Sequence, residues 1–198
     1  GANQIVADSA GNMYVAGQTN STDLTPVSAV QATPGGDFDA FVLKLDPAGT
    51  TVLYLTYLGG GGFDDAFSIA LDDAGNAYVT GKTAGNLPTN LALDTAPQPT
   101  IGSGGGTGAY VAKLSPSGNQ LLYLTYLGGA SNENEGMIAV DAAGSAYVTL
   151  GTFASGLPSS FLGSAGGEDA YVVKLGTRSA DVSVTKFGNP SPVLSGAT

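Results

Sequence analysis

The chain alternates between short apolar runs and polar turns. The runs are rich in Val, Ile, Leu and Tyr, and they end at clusters of Asp, Gly, Asn or Pro. Little polar alternation occurs within a run, which is typical of strands that are covered on both faces. The turn residues favour tight reversals of the backbone. The pattern therefore predicts an all-β protein built from many short strands.

This pattern occurs three times along the chain. Three segments recur in the same order: an Asp-x-x-Gly turn followed by Tyr-Val, a Phe/Tyr-Val-x-Lys-Leu strand, and a Tyr-x-Thr-Tyr-Leu-Gly-Gly strand. The equivalent residues Gly11, Gly75 and Gly144 are 64 and 69 residues apart. Such spacing indicates repeated structural units. The recurring segments are residues 8–17, 72–81 and 141–150; 39–45, 108–114 and 169–175; and 54–60 and 123–129.

Each repeat is predicted to form a sheet of four antiparallel strands. A run such as Ile5-Val-Ala-Asp8 comes first, and a hairpin follows in which a glycine is placed to take a positive φ. The Tyr-Val, Lys-Leu and Tyr-x-Thr-Tyr segments supply the other three strands. We assign the repeats to residues 1–64, 65–133 and 134–178, and the third lacks its own Tyr-x-Thr-Tyr-Leu-Gly-Gly strand.

A sheet that is apolar on both faces must stack on its neighbours. Propeller blades solve this problem by radial packing, whereas a β-solenoid, the alternative stack, has coils of roughly 20 to 30 residues. We therefore predict β-propeller-type blades. Three blades cannot close a ring of 4 to 8, so the chain is expected to be a partial or open propeller from a larger protein. Partner proteins, further copies of the chain or missing residues would cover its apolar end faces.

The repeated motifs also resemble a known family. The Ile-Ala-x-Asp-x-x-Gly-Asn-x-Tyr-Val-Thr-Gly core, the Asp-Ala-Phe/Tyr-Val-x-Lys-Leu strand and the Tyr-x-Thr-Tyr-Leu-Gly-Gly strand resemble the bacterial SBBP β-propeller repeat over about residues 1–175. This resemblance implies a bladed fold in large exported proteins without established catalytic activity. An extracellular or cell-surface location is expected on the same ground.

The last twenty residues permit two interpretations. Residues 179–198 resemble the opening of a bacterial surface-protein repeat with an Ig-like fold, which often starts Ala-Asp-Leu-Ser-Val-Thr-Lys. Alternatively, residues 181–187 supply the missing fourth strand of the third blade. The chain starts at Gly1 rather than Met, so we expect it to be processed or a fragment, and an export signal could have preceded it.

Composition and charge narrow the partners. The chain has 31 Gly, and its 6 basic and 16 acidic residues give a net charge of −10. Such a charge repels nucleic acid and anionic lipid, and no apolar run approaches the ~18 residues of a membrane helix. Neither is an expected partner. Cys and His are absent, which excludes disulfides, thiolate metal sites and the common serine triad.

Most chemistry-bearing side chains occupy repeated positions. Recurring tyrosines such as Tyr14 and Tyr78 are interpreted as blade packing rather than a sugar-stacking platform. Lys44 and its equivalents are interpreted as snorkelling or ion-paired strand lysines, with an anion-binding ring as the alternative. Asp8, Asp72 and Asp141 are expected to bond local hairpin amides. The equivalent lysines are Lys44, Lys113 and Lys174.

Acidic residues supply the candidate metal ligands. Asp64 and Asp65 follow a glycine run, Asp72 is near them in sequence, and Glu133 and Glu135 occupy the matching stretch of the second repeat. Ca²⁺ takes six to eight oxygen ligands, so Asp64, Asp65 and Asp72 are the calcium candidates, although no EF-hand-like loop occurs. No other cofactor and no catalytic residue is expected.

Function is predicted from this arrangement as a whole. We expect a non-catalytic structural or adhesive module that acts by blade stacking and by contacts of its variable loops at about residues 19–38, 83–107 and 152–168. The alternatives are a glycan- or calcium-dependent recognition module and, third, a glycan-cleaving propeller enzyme. A carboxylate pair across a cleft would be needed for the last.

Overall fold

The fold consists of short strands joined by tight turns. The computed structural model describes residues 1–85, 87, 107–127, 136–152, 169–176 and 182–187, and these residues form twelve strands and no helix. No helix in the described part of the chain is long and apolar enough to cross a membrane. The strands are β1 Ala2–Ala7, β2 Met13–Thr19, β3 Asp39–Leu45, β4 Val52–Leu58, β5 Asp64–Leu71, β6 Ala77–Thr83, β7 Gly108–Leu114, β8 Leu121–Leu127, β9 Met137–Val140, β10 Ala146–Thr152, β11 Asp169–Leu175 and β12 Val182–Phe187.

The strands form three antiparallel sheets, one per repeat. The sheet orders are β1-β2-β3-β4, β5-β6-β7-β8 and β9-β10-β11-β12, so every neighbour in a sheet is also a neighbour in sequence. We call these sheets blades 1, 2 and 3. The prediction of an all-β fold with four-stranded propeller-type blades is confirmed.

The third blade has a fourth strand. Strand β12 pairs antiparallel with β11, and Val182 lies opposite Leu175 while Phe187 lies opposite Ala170. The segment therefore occupies the position that β4 and β8 hold in the other blades, which is the second of the two interpretations of residues 179–198.

The hairpin turns have the backbone conformation that the glycines predicted. Gly11, Gly75 and Gly144 have φ values of 84°, 80° and 78°, in the region that L side chains rarely adopt. In each turn the glycine amide donates to the carbonyl of the preceding Asp at 2.9–3.0 Å. The turn geometry is thus the same in all three blades.

A glycine that blades 1 and 2 share in their second strands is replaced by leucine in blade 3. Blades 1 and 2 have Gly17 and Gly81 in β2 and β6, and a Cβ at Gly81 would lie 1.8 Å from the Asp65 carbonyl oxygen in β5. Leu150 stands at the equivalent position in β10. Strand β9 has four residues in the described part of blade 3, whereas β5 has eight.

The blades pack face to face, and the hydrophobic cores lie between them. One row across blade 2 consists of residues that are directly opposite one another in register, and all four are buried against blade 1. The opposing face of blade 1 contributes Tyr14, Val42 and Tyr54 to the same core. The row is Ile69, Val79, Ala112 and Leu124.

The same arrangement recurs between blades 2 and 3. Tyr78, Val111 and Tyr123 of blade 2 share a core with Ile138 and Val148 of blade 3. Strand β5 contacts both β1 and β9, so the first strands of the blades lie next to one another. Each blade therefore has two faces. One contains the repeated Ile of its first strand, and the opposite one contains the repeated Tyr of its second strand.

The exposure of equivalent residues shows that this burial depends on the preceding blade. Ile69 is 1% exposed and Ile138 is 8% exposed, whereas Ile5 in blade 1 is 59% exposed. Each of the three residues stands three positions before the turn Asp of its repeat, so its place in the local sequence does not explain the difference. What differs is that blades 1 and 2 cover Ile69 and Ile138, whereas no described blade packs against Ile5.

A loop covers the outer edge of blade 1. Val27 forms an isolated antiparallel bridge with Leu55 of β4, and the Gln31 carbonyl accepts the Tyr57 amide at 3.1 Å. The Gln31 side chain also bonds both the amide and the carbonyl of Gly59 at 3.0 Å. An uncovered edge strand offers unpaired amides and carbonyls to other chains, and residues 20–38 satisfy part of that edge.

Candidate functional site

The turn aspartates each organise one hairpin. Asp8 Oδ1 accepts the amides of Ala10 at 3.0 Å and Asn12 at 2.9 Å, and its Oδ2 accepts the Tyr14 hydroxyl at 3.3 Å. Asp72 and Asp141 repeat these contacts, with hydroxyl distances of 3.0 and 3.1 Å. The predicted local role of the three aspartates is confirmed.

Hydrogen bonds stabilise the charged form of these carboxylates. Bonds from the Asn12 side chain and amide lower the pKa of Asp8, and the bond from the Ser145 amide does the same for the pKa of Asp141. For Asp72, burial acts in the opposite direction, but bonds from Asn76 outweigh it and the pKa is lowered. All three carboxylates are therefore committed acceptors at neutral pH.

The turn tyrosines connect one blade to the next. The Tyr14 hydroxyl shares its one proton between Asp8 and the Gly75 carbonyl of blade 2, which is 3.5 Å away. The Tyr78 hydroxyl shares its proton in the same way between Asp72 and the Gly144 carbonyl of blade 3, which is 3.0 Å away. Both rings are fully buried, and burial is the main reason that the pKa of each tyrosine is raised. The interpretation of these tyrosines as packing residues is confirmed.

The repeated lysines lie over the turn tyrosines. Lys44 Nζ is 4.6 Å from the Tyr14 ring centroid and donates to the Pro116 carbonyl of blade 2 at 3.2 Å. Lys113 Nζ is 4.5 Å from the Tyr78 ring and 3.3 Å from the Asp72 carboxylate. These contacts support the ion-paired strand lysine rather than an anion-binding ring.

Together these side chains line a cleft between blades 1 and 2. The cleft has a volume of about 530 Å³ and lies at the ends of the first hairpins of both blades. Four of its polar groups, those of Asp8, Tyr14, Lys44 and Asp72, bond a turn or the neighbouring blade. The arrangement is therefore suited to fixing the blade junction. The lining includes Asp8, Tyr14, Lys44, Asp72, Asp73 and Pro116.

A second group of polar residues lies at the other end of the same junction, where β4 leads into β5. Asp39, Asp64 and Asp65 are all buried. Asp39 accepts the Gly35 amide at 2.9 Å, Asp64 accepts the Gly60 amide at 2.7 Å, and Asp65 accepts the Asn3 side-chain amide of blade 1 at 2.6 Å. These bonds join the loop, the connection between blades and the first strand of blade 1.

Asp64 has an unusual environment within this group. Its side chain is fully buried, and its Oδ1 atom has no hydrogen-bond partner. Burial raises the pKa of Asp64 to about 6, the charge of Asp39 adds to the increase, and bonds from Thr83 and Gly60 oppose it. The charge of Asp64 in turn contributes to raised pKa values at Tyr110 and Tyr126.

The structure separates the three calcium candidates. Asp64 and Asp65 are adjacent in β5, so their side chains point to opposite faces of the sheet. Asp72 follows the far end of this eight-residue strand and holds the hairpin turn. Across the described segments, no three Asp or Glu side chains are grouped so that they could hold a metal ion. Glu133 and Glu135 lie outside the described residues.

We expect Asp64→Asn to change stability in a pH-dependent way. The folded-state pKa of about 6 exceeds the ordinary value of 3.8, so folded protein binds the proton more tightly. The contribution of Asp64 to stability is therefore fully present below pH 3.8 and is lost as pH rises through 6, by about 3 kcal/mol. Relative to wild type, Asp64→Asn should gain stability between pH 4 and 7, measured by urea unfolding.

The half-buried turn residue Asp46 provides the control. Bonds from the Thr51 and Thr50 amides lower its pKa, so the stability it contributes is lost only as pH falls below about 4. Asp46→Asn should therefore show a constant difference from wild type between pH 5 and 7. A constant difference for Asp64→Asn over the range from pH 4 to 7 would show that Asp64 is not the group described.

Sequence reasoning missed a set of contacts along the first strands. The Gln4 side chain accepts the Ile69 amide at 2.7 Å, and the Ser68 hydroxyl accepts the Ile138 amide at 3.1 Å. Gln4 and Ser68 are equivalent positions with different side chains, so no repeated letter marks them. The signal available in the sequence was that Gln4 and Ser68 both carry a hydrogen-bond acceptor and both stand one residue before the repeated Ile.

The predicted binding loops are described only in part. Residues 20–38 pack on blade 1 as stated above, and Leu87 of the second loop is buried, with its amide donating to the Tyr126 hydroxyl at 2.8 Å. Residues 86 and 88–106 of the second loop and residues 153–168 of the third loop lie outside the described residues. A binding role for the loops stays a prediction.

Comparison with known proteins agrees with this architecture. The family model for the SBBP beta-propeller repeat matches residues 2–25 and 53–88. The first match covers β1 and β2, and the second runs from β4 of blade 1 through β5 and β6 of blade 2. The likeness of residues 179–198 to an Ig-like repeat finds no support. No curated protein matches the chain.

Proposed function

We propose that this chain is a structural module of an exported bacterial surface or extracellular protein, which works by stacking propeller blades and not by catalysis. Its loops would make adhesive contacts with other proteins. The proposal rests on how the conspicuous side chains are used. The repeated Asp, Tyr and Lys residues, which would be the first candidates for chemistry, hold turns and blade junctions.

The observation that carries the proposal is the burial of the repeated Ile. Ile69 and Ile138 become buried only because another blade lies against them, whereas Ile5 remains exposed. Stacking thus provides the apolar burial on which the fold depends. A module built in this way can hold loops at fixed positions along a row of blades, which is the arrangement that binding surfaces require.

The expected effect of calcium distinguishes a structural module from calcium-dependent recognition. A ligand at 100 times its Kd stabilises the folded state by about 2.7 kcal/mol, which raises the melting temperature by several degrees. For the structural module we expect melting temperatures in excess Ca²⁺ and in excess chelator to agree within about 1 °C. Differential scanning calorimetry of the whole chain measures both.

A marked calcium-dependent increase would overturn the proposal in favour of the recognition module. Asp65→Asn then identifies the site, because loss of the increase in this variant would place the ion at the junction of β4 and β5. Asp73→Asn, which removes an exposed acid from the opposite end of the blades, is the matched control. In the structural module both variants melt identically with and without calcium.

A further inference from the structure

We propose that the exposed Ile face of blade 1 receives the exposed Tyr face of blade 3 from a second copy of this chain, in a head-to-tail contact. The inference rests on the proposed stacking function and adds the identity of the partner. It follows from the two junctions inside the molecule, which show what covers each kind of face.

The first open face belongs to blade 1. Ile5, Val15 and Leu43 lie opposite one another in register, and all three are exposed or half-buried. Their equivalents in blade 2 are Ile69, Val79 and Ala112, which are 1% exposed or less and packed against the preceding blade. We call Ile5, Val15 and Leu43 the Ile5 face. Inside the molecule, a face of this kind is covered by the Tyr face of a blade.

The second open face belongs to blade 3. Tyr147 and Val172 are half-buried and Thr149 is exposed. Their equivalents in blade 2 are Tyr78, Thr80 and Val111, which are almost completely buried against blade 3. We call Tyr147, Thr149 and Val172 the Tyr147 face. One molecule therefore presents both halves of a junction that it forms twice internally.

The polar contacts of the junction are also available at both ends. Tyr14 and Tyr78 donate to glycine carbonyls of the next blade, and Lys44 donates to the Pro116 carbonyl. Tyr147 and Lys174 occupy the donor positions on blade 3, with Lys174 Nζ 5.1 Å from the Tyr147 ring. The matching acceptors in a second copy are the carbonyls of Gly11 and Pro47.

The acceptor side is already formed in blade 1. A Cβ placed on Gly11 would lie 3.3 Å from the Pro47 Cβ, so these two turns are in contact. The equivalent Gly75 and Pro116 turns of blade 2 are similarly close, at 3.7 Å, and there they receive Tyr14 and Lys44. The receiving surface therefore needs no rearrangement before a second copy docks.

One position predicts that this contact is weaker than the internal junctions. Gln4 and Ser68 accept the Ile amide of the next blade, but the equivalent residue in blade 3 is Met137, which is 59% exposed. A thioether is only a weak hydrogen-bond acceptor. The Ile5 amide of a second copy would lose a strong partner there, so reversible association is expected.

The number of blades and the charge define the expected assembly. Two copies supply six blades, which lies within the 4 to 8 of closed propellers. A head-to-tail contact closes into a ring when its rotation permits and otherwise extends into a filament. Each copy carries a net charge of −10, so salt that screens the repulsion should favour association.

Light scattering coupled to size exclusion tests the contact over a concentration series. We expect the mass to rise from that of one copy, 19.5 kDa, towards that of two copies, and to rise more readily at 0.5 M than at 0.05 M salt. Ile5→Asp should abolish the association. The control is Leu122→Asp, which adds the same charge at another exposed apolar residue. Leu122 is 40% exposed but belongs to blade 2, which has a blade on each side and takes no part in the proposed contact.

Met137→Gln provides a gain-of-function test. Restoring the side-chain acceptor that Gln4 supplies internally should tighten the association about two- to tenfold, since a net hydrogen bond contributes about that much. A chain that stays monomeric at the highest concentration would overturn the proposal. The Ile5 face would then have to be covered by a blade that does not come from a second copy of this chain. Association that survives Ile5→Asp, or that Met137→Gln leaves unchanged, would also overturn it.

Failure of this contact is distinguishable from failure of the stacking function. The internal junction can be tested in the monomer through Ile69, whose contacts lie wholly within one copy. If Ile69→Ala destabilises the chain but no self-association occurs, blade stacking holds and only the second copy is wrong as the partner.

Discussion

Replacing Ile69 with alanine is expected to lower the free energy of unfolding by about 2–5 kcal/mol. Ile69 is 1% exposed and lies in the core between blades 1 and 2, so the substitution leaves a cavity at the junction rather than inside one sheet. Urea unfolding followed by tyrosine fluorescence and by circular dichroism measures the change.

Ile5→Ala is the matched control for this effect. Ile5 occupies the same place in its blade but is 59% exposed, so its truncation in the monomer should change stability by no more than about 0.5 kcal/mol. Because the chemistry of the two substitutions is identical, the difference between them measures the contribution of the preceding blade. Equal effects would show that the core lies within the sheets and that the stacking model is wrong.

Gly118→Ala should also be strongly destabilising. Gly118 lies in the turn between β7 and β8, has a φ of 73° and packs against blade 1, where an added Cβ would lie 2.2 Å from Tyr54 Cγ. The atoms affected are at the base of the Tyr54 side chain, so a rotation of the ring cannot relieve the overlap. Positive φ and overpacking together should reduce stability by roughly 2–5 kcal/mol.

Gly49→Ala separates the two causes. Gly49 is in the equivalent turn of blade 1 with a φ of 70°, and an added Cβ would meet only the end of the Met13 side chain at 3.3 Å. Its effect therefore reports the backbone strain alone, about 1–2 kcal/mol. Thermal unfolding of both variants should show the larger loss for Gly118→Ala, and a smaller loss there would place Tyr54 away from the turn.

The strands and turns were predictable because their determinants are local. An apolar run, a turn glycine with positive φ and a recurring Asp lie within about ten residues of one another, and the repeat shows each of them three times. Asp8 illustrates this: its carboxylate bonds amides two and four residues later, so its role is determined by its own hairpin.

The contacts between blades were predictable only as a class. The two-faced strands required stacking, but the partners of Gln4 and Asn3 lie more than 60 residues away and use side chains that do not recur. The raised pKa of Asp64 has the same origin, since burial at a junction between two sheets produces it. The sequence around Asp64, an acidic pair after a glycine run, suggested a metal ligand. The burial of its side chain at the junction could not be deduced from the neighbouring residues.

The fourth strand of blade 3 illustrates a different limit. Residues 182–187 lack the Tyr-x-Thr-Tyr pattern of β4 and β8, yet they pair with β11 over six positions. Strand pairing is made by backbone groups, and an edge position accepts any sequence with sufficient β propensity. A motif search therefore left this segment open between two interpretations.

Each of the two hydrophobic cores is shared between two successive blades, so a single blade is not expected to be stable alone. A whole blade can nevertheless be gained or lost in evolution as one piece. Gene duplication or deletion of one whole repeat replaces one Ile–Tyr junction with another of the same kind, and no new core has to evolve. Recombination within a blade would instead combine the face of one blade with the opposite face of another, so that neither neighbouring junction keeps its original pair of faces. Lineages that carry this module should therefore differ by integral numbers of repeats.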